Sequence, residues 1–116
     1  MDYSQLSDQE INMLVAKIQH PDKTFIESKT RPPSVVLLNH INMWIDYCNN
    51  PADAWPIIVE HKISVIKDSG LYLWVATSDA YWVDGYEWQI SQEVMDANPL
   101  RAAMIAFLMM QDANHA

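Results

Sequence analysis

One run of residues constrains this chain more than any other, because it is apolar on nearly every side. Asn98-Pro99 couples a capping residue to a proline at the first helical position, and Leu100-Arg101-Ala102-Ala103-Met104-Ile105-Ala106-Phe107-Leu108-Met109-Met110 follows. A helix of that composition has no polar face to turn to water, so it is expected to be the most buried helix. Its longest uncharged apolar stretch, Ala102 to Met110, covers nine residues, whereas about 20 are needed to span a bilayer. The expectation is a core helix and no membrane partner.

The upstream sequence carries further element signals. Ser7 and Glu10 are spaced as a capping box, Leu6 and Ile11 as a hydrophobic staple, and Ile11, Leu14, Val15 and Ile18 as the stripe of an amphipathic helix ending before Pro21. Thr24 to Glu27 and the β-branched Val35 to Leu38 read as short strands on either side of Pro32-Pro33. Asn50, Pro51 and Asp53 start a second helix running to about His61, with Pro56 removing a backbone donor just past the first turn.

Ile63 to Lys67 and Leu71 to Val75 read as a hairpin around Asp68-Ser69-Gly70, its second strand central. Asp84-Gly85 is a second turn, between Tyr81-Trp82-Val83 and the alternating Tyr86-Glu87-Trp88-Gln89-Ile90. These elements predict a single domain over residues 1–116, of α+β class, in which a small antiparallel β-sheet packs against helices as an α/β sandwich. With 116 residues, half of them hydrophobic and 19% charged, the chain can form a core without disulfides or metal.

The segment from Asp46-Tyr47-Cys48-Asn49-Asn50-Pro51 through Ala52-Asp53-Ala54-Trp55-Pro56-Ile57-Ile58-Val59-Glu60 is unusual in its residue choice. Together with Asn98 to Met104 and the opening Met1-Asp2-Tyr3-Ser4-Gln5-Leu6-Ser7, it resembles the NinX-like family of small phage and prophage proteins. The resemblance implies a protein encoded by a temperate phage or prophage and made inside an infected bacterium, with an α/β sandwich fold. It marks Asn49, Asn50, Asp53, Trp55 and Arg101 as family-typical and assigns no chemistry to them.

Fifteen acidic residues against seven basic ones give a formal charge of −8. Nucleic-acid affinity rests on Lys and Arg neutralising phosphates, so no direct nucleic acid is expected, nor an anionic membrane surface. The acidity fits either plain solubility or mimicry of a nucleic acid. The first residues lack the basic and apolar regions of a secretory signal, and the lone Cys48 fits a reducing compartment, so the bacterial host cytoplasm is the expected location.

His20, His40, His61 and His115 are scattered, with no metal-ligand spacing, and Gly70 and Gly85 are too few for a phosphate loop or a nucleophile elbow. No metal, cofactor or catalytic residue is therefore expected. Cys48, just before a helix start, reads either as a dipole-activated nucleophile or as a small buried residue. Asp46 and Asp53 read either as paired carboxylates or as a solvated acid and a cap.

Arg101 lies in a first helical turn, where the dipole disfavours a cation, so something should offset that cost. Asp53, Asp46 or Glu60 would supply a structural pair; an anionic ligand or a partner at the Asn98-Pro99 amides is the alternative. Trp74, Tyr86 and Trp88 fit the core face of strands, and Trp55 the buried face of the second helix. Tyr81-Trp82-Val83 places large residues on opposite faces, so at least one meets solvent or a partner. Tyr81, Trp82 and Arg101 are thus the expected binding residues of a non-enzymatic interaction module for a host or phage protein, with a homodimer as one form. The alternatives are a small cysteine- or carboxylate-dependent enzyme and an acidic DNA mimic.

Overall fold

The helix expected to be the most buried is the hub of the computed structural model, which describes residues 1–39 and 42–114. The expectations for His40 and His115 lie outside the described residues. Helix α3 (Pro99–Asn114) is buried at every position from Ala102 to Leu108. Helices α1 (Asp8–Gln19) and α2 (Pro51–Glu60) pack on it, as do strands β4 (Ser64–Asp68), β5 (Leu73–Thr77) and β8 (Val94–Asp96). No helix of the described residues is long and apolar enough to cross a membrane.

Local chemistry fixes the helix starts. Ser7 Oγ accepts from the Glu10 amide at 3.1 Å while the Glu10 carboxylate accepts from the Ser7 amide at 3.0 Å, closing the capping box that starts α1. Asn50 Oδ1 accepts from the Ala52 amide at 3.0 Å, with Pro51 opening α2. The helix continues through Pro56 to Glu60.

Two faces differ from the expectation. In α1 the buried residues are Ile11, Asn12, Val15 and Ala16, so the inner face is rotated toward Asn12 and the last-turn Ile18 is exposed. Asn12 draws the helix round: its amide donates to Pro33 O at 3.1 Å and Asp46 Oδ1 at 2.8 Å, and its Oδ1 accepts from the Cys48 amide at 3.0 Å. In α2 the inner face is Ala54, Ile57 and Ile58, and Trp55, one residue round the helix from Ala54, points outward beside the exposed Val59. The reading of Trp55 as buried is therefore corrected.

The strand content is divided among three small antiparallel sheets, consistent with the α+β class. The first has the order β1 (Thr24–Glu27), β2 (Val35–Leu38), β3 (Met43–Ile45), with Phe25 opposite Leu37 and Val35 opposite Ile45. Strand β3 has no counterpart in the sequence reading. The second sheet has the order β4-β5-β8, with β5 central as expected. The third is a two-stranded ribbon of β6 (Asp79–Val83) and β7 (Glu87–Ser91).

The ribbon is not an independent piece. Ala76 opposite Val94 and Asp79 opposite Ser91 belong to one continuous register, so β5–β6 and β7–β8 are the two arms of a single long hairpin. It breaks at Ser78 and Gln92, the latter left-handed at φ 53°. At the break Thr77 Oγ1 accepts from the Asp79 amide at 2.9 Å and donates to Ser91 O. The near half lies on α3, whereas every residue of β7 is exposed. The molecule measures 53 × 30 × 25 Å, and its radius of gyration is 15.0 Å, against about 13 Å for a compact chain of this length.

Candidate functional site

The distal ribbon owes its shape to a turn that demands left-handed residues. Asp84 and Gly85 sit at φ 52° and 79°, and the Tyr86 amide donates to Val83 O at 3.2 Å. From this turn the register places Trp82 opposite Trp88 and Ala80 opposite Ile90. Alternation along a strand then sorts the residues: Ala80, Trp82, Trp88 and Ile90 share one face, and Asp79, Tyr81, Val83, Glu87, Gln89 and Ser91 share the other. One face is wholly apolar. The Trp82 and Trp88 rings lie 5.4 Å apart at 66°, an edge-to-face pair.

Trp82 is 49% exposed and Trp88 61%. Tyr81, 55% exposed, lies on the opposite face, so the two expected binding aromatics are not on one surface. Trp88 and Tyr86, expected on a core face, are both exposed, because among the described residues no helix covers the distal ribbon as α3 covers β5 and β8. Strict alternation in Tyr86 to Ile90 gave the face on which Trp88 and Ile90 lie; it carried no information on whether that face is covered. Beneath the ribbon, a groove of about 430 Å³ is lined by Ser64, Val65 and Ile66 of β4 and by Ala80, Trp88 and Ile90.

Arg101 is elsewhere, at the junction of the N-terminal segment with α3. Its Nη1 donates to Asp8 Oδ1 at 2.7 Å and its Nε to Asp96 Oδ2 at 3.1 Å. Its Nη2 donates to the carbonyls of Leu6, at 2.8 Å, and Ser4, at 3.1 Å. Its ion-pair partners are thus Asp8 and Asp96, in place of the Asp53, Asp46 or Glu60 named for the structural pair. Those acids are held otherwise or lie elsewhere: Asp53 accepts from the Asp46 amide at 2.9 Å, and Asp46 accepts from Asn12 and Asn49. Asp46 and Asp53 therefore work as backbone and side-chain acceptors at the start of α2, and Asp46 is half-buried rather than solvated.

The amides beside Arg101 are also occupied. Asn98 Oδ1 accepts from the Leu100 and Arg101 amides at 2.9 and 3.2 Å, and the Ala102 amide donates to Asn98 O. Asn98 Nδ2 in turn donates to Cys48 O at 2.8 Å, tying the start of α3 to the start of α2. Cys48 is fully buried. Burial, followed by the nearby Asp8, pushes its thiol pKa far up, although Arg101 opposes the shift, so the thiolate that nucleophilic chemistry needs is suppressed at neutral pH. Among the described residues, no group of three or more His, Cys, Asp or Glu side chains is placed to hold a metal ion.

Trp44 of the unforeseen β3 adds an exposed aromatic on the first sheet, with the Arg31 guanidinium 4.4 Å over its ring.

Fold and surface together define a small α+β protein built on one central apolar helix, from which an aromatic hairpin extends. The chain belongs to the family described as Bacteriophage P22, NinX, whose model matches residues 2–111, and is a phage accessory protein. No curated protein and no solved structure matches the chain.

Proposed function

We propose that this phage accessory protein is a non-enzymatic interaction module, acting as one domain in the host cytoplasm, that binds a host or phage protein through the apolar face of the β6–β7 ribbon. The observation that supports it is the edge-to-face Trp82–Trp88 pair, both rings exposed, on a face completed by Ala80 and Ile90. A two-stranded ribbon is marginal alone in water, and tryptophan is among the residues that most often anchor interfaces. In this reading Trp82 and Trp88 are the anchors, Tyr81 flanks them from the other face, and Arg101, with four of its five donors engaged internally, holds the frame.

Affinity capture of the tagged full chain from infected or lysogenic cells tests this, with Trp82→Ala and Trp88→Ala as comparisons. Retention of a specific protein by the wild type and its loss from both variants supports the reading. Retention unaffected by either change would move the contact to another surface.

A further inference from the structure

We infer that the outer face of the first sheet is a second interaction surface, one that takes an acidic segment of a partner protein. This surface is separate from the ribbon. Ile26 stands opposite Val36 and Val36 opposite Trp44, so one apolar stripe crosses β1, β2 and β3. Alternation turns Phe25, Val35, Leu37 and Ile45 to the other side, where all four are buried in the core with Ile11 and Val15 of α1. On the outer side Ile26 and Trp44 are exposed. The stripe borders a groove of about 320 Å³ that Lys29, Thr30 and Leu38 also line.

Charge at this groove is opposite in sign to that of the chain. Residues 17–31 carry Lys17, Lys23, Lys29 and Arg31 against Asp22 and Glu27, a net +2 in a chain of −8. Two of these cations are at the groove itself: Lys29 lines it, and the Arg31 guanidinium lies 4.4 Å over the ring of Trp44. Neither forms an ion pair among the described residues. Stacking on Trp44 thus holds a planar fork beside the groove with its donors free for a carboxylate. Glu27, the one carboxylate bordering the groove among the described residues, lies on the strand face of Phe25 and borders a separate cavity with Glu10 and Leu14 of α1. Its charge is therefore directed to the α1 side. An acidic segment fits on both counts: carboxylates pair with Lys29 and Arg31, while an aliphatic or aromatic residue covers the Ile26–Val36–Trp44 stripe. A nucleic acid fits less well, because single strands stack on successive aromatic platforms, and here one ring is present with a face taken by Arg31. A second copy joined two-fold through this face would set Lys29 and Arg31 against like charges.

The test is selection from a bead-displayed random peptide library on the full chain, with Arg31→Glu and Lys29→Glu as counter-targets. Both residues are exposed and form no ion pair, so both variants are expected to melt with the wild type. Peptides enriched on the wild type and lost on the variants are expected to combine Asp or Glu with an aliphatic or aromatic residue. They should bind the wild type about tenfold or more tightly than Arg31→Glu, with affinity falling as salt rises. In NMR spectra they should shift the Trp44 indole N–H signal, assigned through Trp44→Phe. Enrichment of peptides without acids, acidic peptides held equally by Arg31→Glu, or an unmoved Trp44 indole overturns the inference. Displacement of the peptides by a lower concentration of oligothymidylate also overturns it, by making the face a nucleic-acid surface. So does a wild-type dimer that Arg31→Glu dissociates, by placing a second copy there. The ribbon reading stands or falls separately, through the capture comparison.

Discussion

Trp82 and Trp88 stand directly opposite each other in the β6–β7 register, in edge-to-face contact and open to solvent. Such a pair contributes about 0.5–1.5 kcal/mol beyond burial. That is small beside the packing of α3. Trp88→Ala is therefore expected to lower stability in urea unfolding by about 1 kcal/mol or less, with an unchanged amide I infrared spectrum. A loss of several kcal/mol would mean that the pair is part of the folding core and not a surface.

Arg101 is the opposite case. Its side chain is 13% exposed, and it satisfies two carboxylates and two carbonyls at once. Removing it leaves Asp8 and Asp96 facing each other's region without a cation, so Arg101→Ala is expected to cost about 2–4 kcal/mol in urea unfolding. Arg101→Lys should recover only part of this, because an ammonium cannot reproduce the planar fork. Unchanged melting of Arg101→Ala, together with lost partner retention, would make Arg101 a contact residue instead.

Alkaline pH should unfold the protein through its buried phenols. Burial, followed by the charge of Asp53, raises the Tyr47 pKa from 10.0 to about 12; burial and the hydrogen bond to Asp112 do the same for Tyr3. Below pH 10 both states hold these protons and the native preference is fully present. Between pH 10 and 12 the unfolded chain releases protons that the native state retains, so stability falls as pH rises. The Cys48 thiol, also raised, adds to the fall from its ordinary value of 9.0 upward. Urea midpoints measured across this range should decline, and Tyr47→Phe should flatten the decline. A wild-type midpoint constant to pH 12 would contradict the burial of these groups.

Cys48 separates a binding protein from a thiol enzyme. Fully buried and held as the thiol, it is expected to resist a disulfide reagent such as DTNB at neutral pH and to react promptly once urea unfolds the chain. Prompt, stoichiometric reaction of the native protein would revive the cysteine-dependent reading.

Much of this architecture is legible in the sequence because its signals are local. Ser7 with Glu10, Asn50-Pro51, Asn98-Pro99 and Asp84-Gly85 each state a start or a turn within four residues, and each is found where it was read. The candidate site is less legible because it depends on coverage. Alternation puts Trp88 and Ile90 on one face but does not say whether a helix lies over it. Nor does a stripe at Ile11, Leu14, Val15 and Ile18 reveal that Asn12, by bonding Pro33, Asp46 and Cys48, turns α1 onto a neighbouring face. Arg101 announced a dipole cost that something had to offset. Its partner Asp8 lies 93 residues away in the chain, beyond anything that spacing can show.

The most direct test of the central claim is site-specific photocrosslinking in infected or lysogenic cells, with a benzoyl-phenylalanine placed at position 88 or at position 72. Tyr72 is exposed in the turn between β4 and β5, away from the apolar ribbon face, and serves as the control. If the Trp82–Trp88 face is the partner surface, position 88 gives a discrete adduct of defined mass and position 72 gives none. An adduct at position 72 with none at position 88 would contradict the account and move the partner surface off the ribbon.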